Sequence, residues 1–171
     1  MTLNIEQLKT KARHSFGEKS LEKLVTGHDD LQLILNVGIW TCPIDFGLSQ
    51  LARTFDEQLA FFLAKPKRTS LDPRKPGVLK HAKHVITEWR PKAEAADIYI
   101  YHPNAKVRRS LIYDKPSLSY VMGHLQCTAE LLYQLGMVKH KTRWGGNWDR
   151  DGVILQDQSF DDLPHIELVA A

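Results

Sequence analysis

Residues 160–168 read Phe160-Asp161-Asp162-Leu163-Pro164-His165-Ile166-Glu167-Leu168. From His165 onward apolar and polar side chains alternate, a pattern typical of a half-buried β-strand. Asp162 precedes His165 by three residues, and Pro164 restricts the turn between them because its ring fixes the backbone φ angle. We therefore predict a final strand that begins at His165 and holds Asp162 near the imidazole.

The rest of the chain predicts helices first and strands later. Apolar residues at helical spacing indicate helices that begin near residues 20, 28 and 54, and a long helix over residues 117–135. Further strands are predicted over residues 44–48, 95–101 and 141–144. This order is typical of the α+β class, so we predict one small α+β domain over residues 1–171.

Composition excludes several classes of protein. With 171 residues, 43% of them hydrophobic and 25% charged, the chain falls among ordinary globular domains. Its two cysteines, Cys42 and Cys127, are too few for a disulfide scaffold. A net charge of +3 does not by itself indicate nucleic-acid binding, and we expect none. We see no signal-peptide pattern and no apolar run of membrane-spanning length, so we expect cytoplasmic synthesis and no stable membrane insertion.

Residues 65–92 form a segment of a different character. Between residues 65 and 83 there are seven basic side chains against the single acid Asp72, and four prolines interrupt the whole segment. Loops longer than about 12–15 residues inside compact domains are usually functional or mobile. We predict a long basic loop that attracts anionic polymers; a merely solvated charged face would have the same composition.

Three positions together meet the requirements of a metal site. Asp97 begins an apolar strand, where a carboxylate needs a partner or a metal. His84 lies in a polar segment, and His165 begins the last strand. A catalytic zinc ion takes three nitrogen or oxygen ligands and leaves one position for water, which two histidines and one aspartate satisfy.

Two further residues would complete a hydrolytic site. Asp162 is a candidate general base, and Arg53 is a candidate for stabilising a developing oxyanion. The residues alone leave other readings open, because the chain has no His-Glu-x-x-His motif. Arg53 before a Thr54 helix cap is compatible with a surface arginine, and His81 and His84 are compatible with a solvated loop.

The order of these motifs resembles that of a known family. The motifs are Arg53-Thr54 with Gln58, Ala82-Lys83-His84, Ala95-Ala96-Asp97-Ile98, Trp144-Gly145-Gly146-Asn147-Trp148-Asp149 and Asp162-Leu163-Pro164-His165. They resemble the zinc peptidases that include D-Ala-D-Ala carboxypeptidases and phage L-alanyl-D-glutamate endolysins. The resemblance implies an antiparallel sheet that carries a zinc site, with helices packed on it.

The resemblance also implies a function and roles for residues. It implies a monomeric phage or prophage endolysin that cleaves the L-Ala-D-Glu bond of the peptidoglycan stem peptide with metal-activated water, and reaches the wall after release from the cytoplasm. The implied residues are the Zn²⁺ ligands His84, Asp97 and His165, the catalytic residues Asp162 and Arg53, and the substrate-binding residues Gly145, Gly146 and Trp148.

One departure from the family pattern concerns the first ligand. The familiar short form places a histidine where this chain has Arg90, and a guanidinium cannot ligate zinc. We therefore assign the role to His84 across a longer insert, with His81 as the reserve. Two alternatives to the endolysin remain: a D-Ala-D-Ala carboxypeptidase, and a non-catalytic cell-wall-binding or nucleic-acid-binding protein whose zinc site has decayed at Arg90.

Overall fold

Four strands form one antiparallel sheet. A computed structural model describes residues 3–154, 156 and 160–171. Its strands are β1 (Phe46–Gln50), β2 (Ala95–Ile100), β3 (Lys141–Gly145) and β4 (Asp162–Val169). Their order across the sheet is β1-β2-β4-β3, and every neighbouring pair is antiparallel. The two central strands, β2 and β4, are distant in sequence and adjacent in space.

The described part of the chain also contains seven helices: α1 (Ile5–Thr10), α2 (Glu18–Leu24), α3 (Asp29–Thr41), α4 (Phe55–Leu63), α5 (Val78–His81), α6 (Ala105–Leu111) and α7 (Lys115–Gln134). The predicted α+β class is confirmed. Sequence periodicity did not reveal α1, α5 and α6, because none of them buries a residue and so none shows an apolar stripe. Among the described residues, no helix combines the length and the apolar character that a membrane span requires.

One face of the sheet packs against α7 and forms the core. Side chains alternate along a strand, so Ile98 and Ile100 of β2 share a face with Ile166 and Leu168 of β4. All four are buried, together with Leu118, Met122 and Leu125 of α7. Helix α3 lies close to α7 because Gly38 has no side chain: a Cβ there would come within 2.3 Å of Leu125 Cδ2.

The opposite face of the sheet is polar at its centre. The register pairs Asp97 with His165, and Arg143 with Glu167. These four side chains alternate with the core residues along their strands and therefore point away from α7. The fold thus gathers charged and titratable groups from three strands on one side of the sheet.

Strand β4 begins at Asp162, three residues earlier than the sequence predicts. Gly145 pairs with Asp162 and Trp144 pairs with Ile166, so β4 bulges between the two pairs. Pro164 lies in this bulge, where the strand is released from regular pairing and the missing N–H is tolerated. The acidic segment around residues 149–162 includes Asp157, which lies outside the described residues.

Candidate metal centre

Three potential ligand atoms converge on the polar face of the sheet. His84 Nε2 lies 3.2 Å from Asp97 Oδ1 and 3.2 Å from His165 Nδ1, and His165 Nδ1 lies 3.1 Å from Asp97 Oδ1. Asp97 and His165 come from paired positions of β2 and β4, whereas His84 comes from the segment after α5. The structure therefore brings all three predicted ligands into one cluster.

The cluster has the dimensions of a tetrahedral metal site. Zinc binds imidazole nitrogen and carboxylate oxygen at about 2.0–2.1 Å, so ligands at tetrahedral angles are separated by about 3.3–3.4 Å. The three measured separations are only slightly shorter than this. Two imidazoles and one carboxylate leave the fourth position open, which is the donor set of a catalytic site. These residues fit a metal ion.

Hydrogen bonds on the outer side of each imidazole fix its orientation. His84 Nδ1 donates to the carbonyl oxygen of Leu51 at 2.7 Å, which leaves the lone pair of Nε2 facing the cluster. His165 Nε2 lies 3.1 Å from Glu167 Oε2, which leaves Nδ1 facing the cluster. Glu167 is held in turn by an ion pair with Arg143. Such outer partners select the tautomer that can bind a metal.

The electrostatics of the cluster favour the charged forms of Asp97 and His165. Burial alone raises the pKa of Asp97, but the charges and hydrogen bonds of His84 and His165 outweigh it and hold that pKa far below its usual range. Burial alone lowers the pKa of His165, but hydrogen bonds to Asp97 and Glu167 raise it to about 9. The carboxylates of Asp97 and Glu167 thus favour a positive charge at this point of the cleft.

Asp162 lies beside the cluster in the same cleft. The cleft has a volume of about 410 Å³ and is lined by the three clustered residues, Asp162, Arg53 and Trp148, among others. Burial raises the pKa of Asp162, and the charge of His165 opposes that rise. A carboxylate with a raised pKa binds protons more readily, as a general base requires.

Arg53 is held beside the cluster by two glutamines. Its guanidinium donates to Oε1 of Gln58 at 2.6 Å and to Oε1 of Gln50. The backbone of Arg53 also bridges the segment carrying His84, since its N–H donates to the His84 carbonyl at 2.8 Å. Thr54 caps α4 in a reciprocal capping box with Glu57, as its position in the sequence predicts. Arg53 is 9% exposed and so is not a surface arginine.

The three predicted substrate-binding residues occupy different positions. Trp148 lines the cleft and packs against His165, with ring centroids 5.4 Å apart. Gly145 and Gly146 are buried, and neither belongs to the described lining of the cleft. A Cβ on Gly145 would lie 2.3 Å from the carbonyl oxygen of Asp162, and one on Gly146 would lie 2.4 Å from the Trp144 ring. Both glycines permit close packing behind the cleft.

Arg90 holds the turn that presents His84. It is 4% exposed, and its Nη2 donates to the carbonyl oxygens of Ala82, Leu79 and Val85 at 2.6, 2.8 and 3.0 Å. Arg90, which stands where the family has a histidine ligand, therefore fixes the backbone on either side of His84 through these hydrogen bonds. His81, the reserve ligand, lines the cleft without joining the cluster.

A second group of potential ligands lies at the start of α3, formed by His28, Asp30 and His140. Its members already form hydrogen bonds with one another and with the nearby backbone. Asp30 Oδ2 accepts from His140 Nδ1 at 2.7 Å and from the backbone N–H groups of Lys139 and His140. His28 Nδ1 accepts from the Asp30 N–H and so caps the helix. The group ties the start of β3 to α3.

Sequence reasoning assigned no role to Gln58 and Glu167, although each supports a predicted site residue. Gln58 is buried within α4, holds Arg53 and donates to the Leu71 carbonyl at 2.9 Å. Glu167 follows His165 by two residues on a strand, so the two side chains share a face. The two-residue spacing therefore could have identified Glu167 as the hydrogen-bond partner of His165.

The protein is thus an α+β domain in which three residues that could bind a metal ion line an open cleft. Comparison of the sequence with protein-family models and with curated proteins gives no match. Comparison of the structure does: the fold is similar to the crystal structure of the L-Ala D-Glu endopeptidase ChiX from Serratia marcescens. The TM-score is 0.60 over 92% of each chain, at 16% sequence identity. The chain therefore shares the fold of that endopeptidase.

Proposed function

We propose that this protein is a zinc-dependent peptidoglycan peptidase that hydrolyses the L-Ala-D-Glu bond of the stem peptide. The observation that carries the proposal is the cluster of His84, Asp97 and His165 on the wall of a cleft that also contains Asp162. The fold shared with an L-Ala D-Glu endopeptidase supports the choice of bond. The role we propose is that of a phage or prophage endolysin that acts as a monomer on the wall after its release.

In the proposed reaction, the metal ligands, Asp162, Arg53 and Trp148 have separate roles. A zinc ion held by His84, Asp97 and His165 would supply Lewis acidity and would lower the pKa of the attacking water. Asp162 accepts the proton of the attacking water and delivers it to the leaving amine. Arg53 stabilises the negative charge that develops on the scissile carbonyl oxygen. Trp148 packs on His165 and helps to exclude solvent from that side of the site.

The shape of the cleft favours an endopeptidase over a carboxypeptidase. A second cavity of about 270 Å³, lined by Ser49, Tyr113 and Pro164 among others, adjoins the main cleft. The two cavities share four residues, including Asp97 of the cluster: Gln50, Phe61, Arg68 and Asp97. The cleft therefore continues past Asp97 into the second cavity, which gives an extended peptide more room than the main cleft alone.

Digestion of purified peptidoglycan tests the proposal. The zinc-loaded protein should release fragments whose new amino terminus is D-Glu, identified by mass spectrometry after amino-group labelling. Release of single D-Ala residues would identify the carboxypeptidase instead. A folded, zinc-loaded protein that releases no fragment while binding the wall would favour the non-catalytic binding protein. The Asp162→Asn variant is the matched control, because it changes one carboxyl oxygen and removes the base.

A further inference from the structure

Two arginines pack on one aromatic ring at the wall of the cleft. The guanidinium carbon of Arg53 lies 4.6 Å from the centroid of the Phe61 ring, and that of Arg68 lies 4.0 Å from it. The Arg68 N–H also donates to the Phe61 carbonyl at 3.0 Å, which folds the chain after α4 back onto the helix. The ring thus fixes two positive charges side by side.

Within the described ranges, neither arginine forms an ion pair with a carboxylate. The guanidinium of Arg53 donates to the amide oxygens of Gln50 and Gln58, and its buried Nε has no acceptor among the described residues. Arg68 forms no ion pair within the described part of the chain. The other two cations of the cleft differ, because Lys83 pairs with Glu94 and Arg143 with Glu167.

The position of this pair places it within reach of a bound peptide. Arg53 and Arg68 line the main cleft beside the clustered ligands. Arg68 and Phe61 also line the adjoining cavity, together with Asp97. A chain that passes the cluster therefore runs along Phe61, with an exposed guanidinium at its side.

We propose that Arg68, held next to Arg53 by the shared Phe61 ring, forms a carboxylate-binding subsite that makes the enzyme selective for an acidic residue next to the scissile bond. Guanidinium groups bind carboxylates through paired, charge-assisted hydrogen bonds, whereas a neutral amide offers a single uncharged acceptor oxygen and binds more weakly. This inference rests on the proposed function, because the D-Glu residue of the L-Ala-D-Glu bond brings a free carboxylate beside the amide. Arg68 is the specificity-determining member, since it is the exposed one.

Two peptides that differ in one group test this subsite. One carries D-Glu with its free carboxylate, and the other carries the same residue with that group converted to the amide. The wild-type protein should cleave the acid with a kcat/KM about 10–100-fold higher than the amide, the range expected for hydrogen bonds to a charged group. Arg68→Ala should raise KM for the acid by a similar factor, leave its kcat nearly unchanged and leave the amide unaffected. Arg68→Lys should restore part of the preference.

Lys67→Ala is the matched control. Lys67 is the neighbouring cation, but its Nζ lies 4.1 Å from the centroid of Phe62 and it is not part of the cleft lining. The proposal is overturned if Arg68→Ala weakens both peptides equally, or if Lys67→Ala reproduces its effect. Failure of the wild type to cleave either peptide would overturn the proposed function. In that case, calorimetry would measure the affinities of the two peptides for the wild type and for Arg68→Ala, and so test the subsite without catalysis. Equal wild-type affinities for the acid and the amide would overturn the subsite. A wild-type preference for the acid that Arg68→Ala abolishes would support it.

Discussion

His84 Nε2 lies 3.2 Å from His165 Nδ1, although the two histidines are 81 positions apart in the chain. Each imidazole is turned toward the other by an outer hydrogen bond, one to the Leu51 carbonyl and one to Glu167. Two lone pairs at this separation beside a carboxylate are arranged for a shared cation.

His84, rather than His81, should be the zinc ligand contributed by residues 65–92. His84→Ala should abolish stoichiometric zinc retention after dialysis, because it removes one of three protein ligands. His81→Ala and His140→Ala should both retain zinc, since neither residue belongs to the cluster. Elemental analysis of the three purified variants measures this. Zinc loss in His81→Ala with zinc retained in His84→Ala would show that the reserve assignment was the correct one.

Asp162→Asn should separate chemistry from metal binding. The variant keeps the shape of the side chain but cannot accept the proton of the attacking water, so kcat should fall by about 10²–10⁴-fold. Zinc content should remain that of the wild type, because Asp162 is not a member of the cluster. Turnover of a peptide substrate and elemental analysis provide the two readouts. An unchanged kcat would remove Asp162 from the mechanism.

Arg90→Ala should destabilise the protein and weaken metal binding together. Loss of the guanidinium leaves the buried Val85 carbonyl without its Arg90 donors and removes one of the two donors to the Ala82 carbonyl, which should lower the free energy of unfolding by about 3 kcal/mol. Zinc affinity should fall as well, because these carbonyls flank His84. Urea unfolding and zinc titration measure the two effects. Lys80→Ala, an exposed cation of the same segment, is the control; equal effects in both variants would contradict the role of Arg90.

Substitution by alanine should destabilise the protein at the tightly packed Gly145 and stabilise it at the open helical position Gly123. Gly145→Ala forces a Cβ to 2.3 Å from the Asp162 carbonyl, so the bulge must shift and both stability and activity should fall. Gly123→Ala meets nothing within 4 Å on an exposed face of α7 and should raise the free energy of unfolding by about 1 kcal/mol. Thermal unfolding of both variants tests the pair. A neutral Gly145→Ala would show that the bulge tolerates a side chain.

The stability of the metal-free protein should fall as the pH rises from about 6.5 to about 9. The pKa of His165 is raised in the folded state to about 9 from its usual 6.5, so its stabilising charge is fully present below pH 6.5 and is lost through pH 9. Metal binding requires neutral imidazole, so zinc should remove this decline. Urea midpoints at pH 6 and pH 9, with and without zinc, measure it. His165→Gln isolates the contribution, and a wild-type decline identical to that of the variant would contradict it.

The sequence predicts the residues of the site better than their arrangement. Asp97 is recognisable because a charge at the start of an apolar strand needs a partner. Its pairing with His165 is not recognisable, since it depends on β2 and β4 being neighbours across 68 positions. Strand register is a long-range property that no local pattern records.

The role of Arg90 could not be predicted from the sequence either. Its residue type excludes metal ligation, but the sequence does not reveal that it binds the carbonyls of Ala82 and Val85. The start of β4 at Asp162 was missed for a related reason, because Pro164 suggests a turn unless a bulge accommodates it. Both features depend on backbone geometry that forms only in the folded chain.

The central claim is that one zinc ion, held by His84, Asp97 and His165, is required for cleavage of an L-Ala-D-Glu bond. The most direct measurement follows hydrolysis of a peptide containing that bond by one preparation before chelation, after chelation and during stepwise return of zinc. We predict that activity disappears with the metal and returns in full at one equivalent of zinc per chain, and that His84→Ala shows no such return. Undiminished cleavage by the fully metal-free protein, or full saturation with zinc without any cleavage, would contradict the claim.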